Sequence, residues 1–314
     1  MAPIDPADEQ RHVADPEIEL WNESYYLDWF TEDATLGGYI RIGFYPNLDR
    51  VWYWACLVGE RRPLVTVVEH DVAMPTSASS LELRHDGLWA DHAIESPNEH
   101  MSTNLEAFGL VIEDPAEMYR ADAPRGDRVP FGFELDWETD RGGYQWPPVT
   151  PRYEIPCRVH GFVQVGDERI EVDAWGQRDH SWGAARDWWS MPWIWSAGRL
   201  DDGTRFHSAG GFFADNDWGV GYRLDPASSE FAESDRILQS TIEGRERLPE
   251  SSTLAHTALE LTATPVAFSP VGLFHPTDGR LDRFPRALTR YANADGRTGA
   301  GWIEWNQPPE ATAN

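Results

Sequence analysis

The sequence contains no lysine, since all 26 basic residues are arginine. Schiff-base catalysis, the anchoring of pyridoxal phosphate, the P-loop and the Ser-x-x-Lys nucleophile all need a lysine amine, so these enzyme classes are excluded. The motifs G-x-G-x-x-G, G-x-S-x-G and H-E-x-x-H are also missing, which removes the usual support for dinucleotide-binding, α/β-hydrolase and zincin functions. We therefore expect no organic cofactor and no metal ion.

Cysteine is scarce, and long apolar runs are missing. Cys56 and Cys157 lie in the strand-like segments WYWACLV and YEIPCRV, a context typical of buried free thiols and not of a disulfide framework. No run approaches the roughly eighteen apolar residues of a membrane span, and the opening MAPIDPADEQ lacks a basic signal region. These features predict a soluble, cytoplasmic protein with no membrane span.

Positive charge is also in short supply, because 53 acidic residues give a formal net charge of −27. A field of this sign repels a phosphate backbone, so nucleic acid is not expected as a partner. The expected partner is an apolar small molecule, and a monomer and a homodimer are equally open.

Segments rich in β-branched and aromatic residues recur about every ten positions, separated by Gly, Pro, Asn and Asp. This rhythm predicts an all-β protein of two lipocalin-like antiparallel barrels or sandwiches packed side by side. Helix candidates are few, and the best of them is the two-turn segment Asp114–Arg120. Three hairpins are predicted: Tyr39–Tyr45 with Val51–Val58, Trp193–Leu200 with Thr204–Gly210, and Tyr291–Trp305 across NADGR.

The stretch TDRGGYQWPPVTP, residues 139–151, concentrates Gly and Pro without apolar periodicity, as an interdomain crossing does. We accordingly expect an N-terminal extension at 1–20, a first β domain at 21–145 and a second at 146–314.

Six of the sixteen tryptophans fall in the segment AWGQRDHSWGAARDWWSMPWIW, residues 174–195. Indole N–H groups need partners, and the interleaved Arg, Asp and His residues favour a lined cavity over a dry core. An aromatic core between two sheets remains the alternative. The predicted ligand-contacting residues here are Trp175, Trp182, Trp188, Trp193 and Trp195.

If a strand runs through EVDAWGQRD, Trp175, Gln177 and Asp179 share one face while Arg178 and His180 share the other. A carboxyl group facing an aromatic pocket is desolvated and can hold its proton near neutral pH, as a general acid must. Asp179 is therefore the predicted proton donor, and the neighbouring His180 either exchanges a proton or positions it. Arg178, Arg186 and Asp187 are expected to support the structure.

The string DHSWG, residues 179–183, resembles the D-H-x-W-G signature of the carotenoid 1,2-hydratase and AttH-like superfamily, which also includes kievitone hydratase and Diels–Alderase-like cyclases. GQRDHSWGAARDWW, WNESYY near the start and GWIEWNQP near the end are similar to an uncharacterised bacterial branch of that group. The resemblance implies two lipocalin-like halves with a pocket and places Asp179 at the hydratases' proton-donor position, with His180 and Trp182 beside it. Ser181 stands where the carotenoid enzymes commonly have Gln, which argues against the same substrate.

Other candidates lie near the two ends of the chain. Glu23, Tyr25 and Tyr26 of WNESYY suit either a pocket wall or an ordinary sheet surface. On the last strand, Trp305 adjoins Glu304, which is either a second catalytic carboxylate or a surface group.

Histidines could also mark a metal site. His160, His180 and His207 would form one only if they converged, and the segment DHAIESPNEH, residues 91–100, matches no ligand spacing and predicts a solvated loop.

Three functions remain open at this stage. The first is a cofactor-independent lyase or isomerase, a hydratase, dehydratase or cyclase of an isoprenoid-like substrate, working through a carbocation. The second is a non-catalytic carrier of a lipophilic ligand. The third is a scaffold that uses an exposed Trp-rich patch.

Overall fold

A computed structural model describes residues 4–211, 218–234, 237–256, 259–275 and 278–308. The described chain is mainly antiparallel β structure, as the residue pattern predicts. The strands are β1 (Trp21–Phe30), β2 (Leu36–Tyr45), β3 (Arg50–Gly59), β4 (Arg62–Ala73), β5 (Leu83–His85), β6 (Leu88–Ser96), β7 (His100–Ile112), β8 (Asp127–Thr139), β9 (Tyr144–Gln145), β10 (Arg152–Val165), β11 (Glu168–Ala185), β12 (Trp193–Leu200), β13 (Arg205–Gly211), β14 (Trp218–Leu224), β15 (Ala232–Ser234), β16 (Ile237–Ile242), β17 (Ser251–His256), β18 (Leu259–Phe268), β19 (Val271–Phe274), β20 (Leu281–Phe284), β21 (Arg286–Ala292) and β22 (Thr298–Asn306).

The first sheet is a barrel. Its strands follow the order β4-β3-β2-β1-β11-β10-β8-β7, and the pairing of β4 with β7 closes this path into a ring, with β6 and β5 attached beyond β7. Strand β8 alternates cleanly, with Phe131, Phe133, Leu135 and Trp137 buried between more exposed residues. This period of two directs one side-chain row into the barrel.

The second sheet has the order β15-β14-β13-β12-β22-β21-β18-β17-β16, and β19 pairs with β20 as a separate two-stranded ribbon. All three predicted hairpins are confirmed: β2 with β3, β12 with β13, and β21 with β22. The first of them turns through a 3-10 turn at Pro46–Leu48 and a left-handed Asp49 (φ 51°).

Strands β1 and β2 are buried on both faces, and none of their residues is exposed. Tyr25, Leu27 and Trp29 point into the first barrel, whereas Tyr26 and Phe30 point into an apolar core that the two sheets share. A third core fills the interior of the second sheet. The shared core gives the two sheets a common aromatic interface.

Helix is confined to short 3-10 turns among the described residues: Pro6–Glu9, Pro46–Leu48, Pro115–Tyr119 and Arg245–Arg247. The predicted helix at Asp114–Arg120 is a 3-10 turn of five residues, because Asp114 caps it and the chain turns extended again at Arg120. No helix in these ranges is long and apolar enough to cross a membrane.

The chain leaves the first sheet after Ala185 and enters the second at Trp193. The Gly/Pro stretch at 139–151 lies within the first sheet, between β8 and β10, and contains β9, which pairs with β10. The switch between sheets thus comes later in the chain than the expected crossing, because β10 and β11 pair with β8 and β1. A division into domains at 145/146 stays a prediction.

Candidate functional site

A cavity of about 440 Å³ opens where β10 and β11 meet β12 and β22. Its wall is mainly aromatic and apolar, with Trp146, Trp193, Trp195, Trp218 and Met191. Four charged side chains interrupt this wall, those of Arg152, Arg186, Asp187 and Glu304. The site therefore combines an apolar lining with a few convergent polar groups, the usual composition of a small-molecule site.

Arg152 joins the cavity to a buried pair of carboxylates. Its Nη2 lies 2.7 Å from Asp179 Oδ2, and its Nε donates to Glu154 Oε1 at 2.7 Å. Glu154 and Asp179 stand directly opposite each other on β10 and β11, so their side chains emerge on the same face of the sheet. Asp179 lies behind Arg152, with 5% of its surface exposed.

Glu154 is held by several donors in addition to Arg152. Gln177 Nε2 donates to its Oε2 at 3.0 Å and Trp195 Nε1 to its Oε1 at 3.1 Å. His207 Nε2 lies 3.5 Å from Oε1. Such a carboxylate is stabilised in its ionised form.

The environment separates the pKa values of these two carboxyl groups. Burial raises the pKa of Asp179 well above its ordinary value against the opposing charge of Arg152, and Glu154 and Glu304 add to the rise. Burial acts in the same direction on Glu154, but the charges of Arg152 and His207 and its hydrogen bonds together lower the pKa of Glu154. One carboxyl thus keeps its proton more readily while its neighbour stays ionised, a pattern shared by acid–base pairs in enzymes.

Glu304 is one of two carboxylates that line the cavity itself, the other being Asp187 at its rim. Its Oε2 lies 2.9 Å from Nη2 of the buried Arg286, and the Arg286 guanidinium stacks on the ring of Tyr39 at 3.8 Å. Arg186 lies on the cavity wall as well, and burial lowers the pKa of its guanidinium to about 10.

His180 does not meet Asp179. The alternation of β11 sends Asp179 toward the shared core and His180 into the first barrel, so no hydrogen bond joins them. The predicted partnership of these two residues is wrong because neighbouring strand positions face opposite sides. His180 instead lies 3.0 Å from Glu23 (Nε2 to Oε1), and His12 Nδ1 lies 2.8 Å from the same oxygen.

The other predicted ligand-contacting residues divide among the cavity and the cores. Trp193 and Trp195 line the cavity. Tyr26, Trp175 and Trp188 belong to the shared core without lining the cavity, whereas Glu23, Tyr25 and Trp182 surround His180 on the barrel side. Trp305 packs inside the second sheet, where its Nε1 donates to Ser252.

The three residues expected to support the structure have different surroundings. Arg178 points into the first barrel and pairs with Glu9 of the N-terminal segment. Asp187 lines the cavity rim and accepts a hydrogen bond from the backbone of Trp189. Arg186 faces the cavity, so it is placed to contact a ligand directly.

Arg152, Glu154 and Trp146 are not among the site residues predicted from the sequence. Each lies before β11 in the chain and reaches the site only through the pairing of β10 with β11 and β9. An Arg-x-Glu pair on a strand, with both side chains on one face, is the signal that was available at Arg152 and Glu154.

The histidine expectations are also resolved. His160 is exposed, His207 lies beside Glu154 and His180 beside Glu23, so the three do not converge. Residues 91–100 are not a solvated loop but part of the β6–β7 hairpin, and His92 is buried inside the barrel. Among the described residues one group brings three potential metal ligands within 4.8 Å of one another: His12, Glu23 and His180.

The Trp-rich segment does not form an exposed patch. Trp188, Trp189, Trp193 and Trp195 are all buried, so the scaffold hypothesis loses its basis.

Fold and site define a class of protein: two antiparallel β bodies that hold an aromatic cavity with a buried arginine–carboxylate cluster in its wall. The chain belongs to the family described as "Domain of unknown function (DUF7064)", whose model matches residues 5–309. A search of curated proteins finds no significant match.

Solved structures with the same fold cover nearly the whole chain. An AttH candidate from Nitrosomonas europaea is 14% identical with a TM-score of 0.68, covering 97% of this chain and 98% of its own. CghA is 9% identical with a TM-score of 0.62, covering 94% and 90%. Kievitone hydratase from Nectria haematococca is 10% identical with a TM-score of 0.58, covering 95% and 93%. The resemblance seen in DHSWG is thus confirmed at the level of the fold.

Proposed function

We propose that the protein is a hydratase, dehydratase or cyclase that acts on an isoprenoid-like apolar molecule by acid catalysis in the aromatic cavity. The observation that carries this proposal is the pair of facing carboxyls behind the cavity wall, one with a raised and one with a lowered pKa, bridged by Arg152. Two proteins with this fold point to small molecules: kievitone hydratase is named as a hydratase, and CghA was solved with the compound Sch210972. Both support an enzyme that acts on a small molecule.

In the proposed reaction, protonated Asp179 gives its proton to a carbon of an alkene, and a carbocation and an aspartate form together. The indole faces of Trp193 and Trp195 stabilise the cation by cation–π attraction. Water, or a second alkene of the same molecule, then adds to the cation, and a proton returns to Asp179. Dehydration follows the same steps in reverse, with Asp179 protonating the leaving hydroxyl.

Arg152 has a positioning role in this scheme. It holds both carboxyls and lines the cavity, so in this scheme its guanidinium has to move aside before Asp179 can reach a bound ligand. Glu154, which accepts hydrogen bonds from Arg152, Gln177 and Trp195, remains ionised and balances the charge of Arg152 throughout the cycle.

A carrier function is the second candidate, and one observation favours it. Asp179 is paired with Arg152 at 2.7 Å and does not line the cavity, so a ligand can be bound by the tryptophans without meeting an acid.

The test incubates the full chain with kievitone and, separately, with linalool in D2O and follows both by mass spectrometry. Acid catalysis predicts products that gain or lose water, or recovered substrate that has taken up deuterium at carbon. Asp179→Asn should reduce the rate by about a hundred- to ten-thousand-fold, because an amide cannot supply the proton. Asp173→Asn, on the same strand but exposed, is the matched control and should leave the rate unchanged.

Quenching of tryptophan fluorescence by the same two probes measures binding independently of turnover. Binding without deuterium uptake in the wild-type protein would assign the carrier function. A turnover rate that is equal in wild type and Asp179→Asn would refute the role of Asp179.

A further inference from the structure

A second cluster of reactive side chains lies on the opposite face of β11 from the cavity. It joins three parts of the chain: His12 from the N-terminal segment at residues 4–20, Glu23 from β1 and His180 from β11. The three ligand atoms, His12 Nδ1, Glu23 Oε1 and His180 Nε2, all lie within 4.8 Å of one another. Nothing in the proposed acid catalysis uses this cluster.

The distances between the ligand atoms suit a metal ion. His12 Nδ1 and His180 Nε2 lie 2.8 and 3.0 Å from Glu23 Oε1. Two ligand atoms that bind one tetrahedral zinc ion at about 2.0 to 2.2 Å are themselves roughly 3.3 to 3.6 Å apart, so each of these two distances would widen by a few tenths of an ångström on binding. Two imidazoles and one carboxylate are also a ligand set found in zinc enzymes, with a fourth position left for water.

The tautomer of His180 supports the same conclusion. Its Nδ1 lies 2.8 Å from the backbone carbonyl oxygen of Asp8. A carbonyl oxygen can only accept, so Nδ1 carries a hydrogen, and in the neutral ring Nε2 then presents a lone pair. That lone pair faces a carboxylate oxygen at 3.0 Å, and two acceptors at this distance need a cation or a proton between them.

The surroundings of the two imidazoles are those of metal ligands. The outer nitrogen of a metal-bound histidine usually donates to a carbonyl or a carboxylate, which fixes the ring. Asp8 supplies both: its carbonyl binds His180 Nδ1, and its carboxylate lies 3.7 Å from His12 Nε2. Ring stacking adds to the alignment, with His12 on Trp182 at 4.1 Å and His180 on Tyr25 at 3.9 Å.

Glu23 is fully buried and also receives the backbone N–H of His12, at 2.9 Å to Oε1 and 3.1 Å to Oε2. The N-terminal segment is therefore bound to β1 at one carboxylate through both its backbone and its side chain. The His12 side chain is 24% exposed, which leaves a route for an ion from solvent.

We propose that His12, Glu23 and His180 bind one divalent transition-metal ion, zinc by the nature of the ligands, and that the ion fastens the N-terminal segment to the first barrel. The sequence contains no local metal-binding motif, and for that reason no metal was expected. These ligands form no such motif because His12 and His180 lie 11 and 157 positions from Glu23 in the chain. The site is independent of the acid chemistry proposed for the cavity.

The first test titrates ZnCl2 into the tag-free full chain by calorimetry after removal of metals with a chelator. We expect one ion per chain, and a His12→Ala variant that binds at least about a hundred-fold more weakly, since even outer-sphere changes cost ten- to a hundred-fold. His12 lies outside the barrel, so the variant should fold. His100→Ala is the matched control, because His100 Nε2 also contacts a carboxylate, Asp136, at 2.7 Å, whereas the described part of the chain places no third ligand beside this pair.

The second test follows the N-terminal segment itself. Trypsin can cut after Arg11, and bound zinc should slow the loss of residues 1–11 in the wild type and in His100→Ala but not in His12→Ala. The thermal midpoint should rise with zinc in the same two proteins only, because a ligand that binds the folded state stabilises it. Zinc affinity that is equal in His12→Ala and wild type, or no stoichiometric uptake, would show that the cluster is a hydrogen-bonded network and overturn the proposal.

Discussion

Replacing Asp179 by asparagine distinguishes a protonated carboxyl from an ion-paired carboxylate without any substrate. The raised pKa of Asp179 means that the folded state holds a proton which the unfolded chain releases above the ordinary aspartate pKa. The stability that this proton contributes is complete below that ordinary pKa and is lost as the pH rises through the folded value. Asparagine resembles the protonated acid and has no such pH dependence.

The expected magnitude follows from linkage. While Asp179 stays protonated in the fold, wild-type stability falls relative to Asp179→Asn by about 1.4 kcal/mol per pH unit, or up to about 2.7 kcal/mol between pH 5.5 and pH 7.5. Asp179 and Glu154 influence each other's protonation, so Asp179 titrates over a wider pH range. The value of about 2.7 kcal/mol is therefore an upper bound. An ionised Asp179 held by Arg152 predicts the opposite: asparagine would then cost about 3 to 5 kcal/mol throughout this pH range.

The assay is urea unfolding of wild type and Asp179→Asn, followed by tryptophan fluorescence at three pH values from 5.5 to 7.5. Asp173→Asn is the control on the same strand, where the carboxylate pairs with Arg158 but is 77% exposed and should contribute no more than about 1 kcal/mol. A large deficit of Asp179→Asn that does not change with pH would refute the protonated state and, with it, the role of Asp179 as proton donor.

Three further outcomes are expected. Glu154→Gln should lose stability at neutral pH, and its deficit should shrink as the pH falls through the lowered pKa of Glu154; urea unfolding at several pH values measures this. Asp282→Asn should stabilise the fold at pH 7 by up to about 4 kcal/mol, because burial raises the pKa of Asp282 to about 8; an unchanged unfolding midpoint would contradict this. Gly161→Ala should destabilise the first barrel by at least about 1 to 3 kcal/mol, since φ at Gly161 is +132° and a Cβ there would lie 2.1 Å from the carbonyl oxygen of Glu134; thermal unfolding tests it.

The sequence by itself determined the class of fold. Alternation with period two and regularly spaced turn residues depend on local chain geometry, so the three hairpins and the two faces of β11 were readable from the residues alone. The motif DHSWG added the type of architecture, which the solved structures share.

Only the tertiary structure decided which side chains meet. Asp179 and Arg152 are 27 positions apart in the chain, and the pairing of β10 with β11 brings them into contact. Likewise His12 reaches Glu23 and His180 because the N-terminal segment folds back over the barrel. Strand pairing brings such residues together through long-range backbone hydrogen bonds, and no local pattern in the chain encodes those contacts.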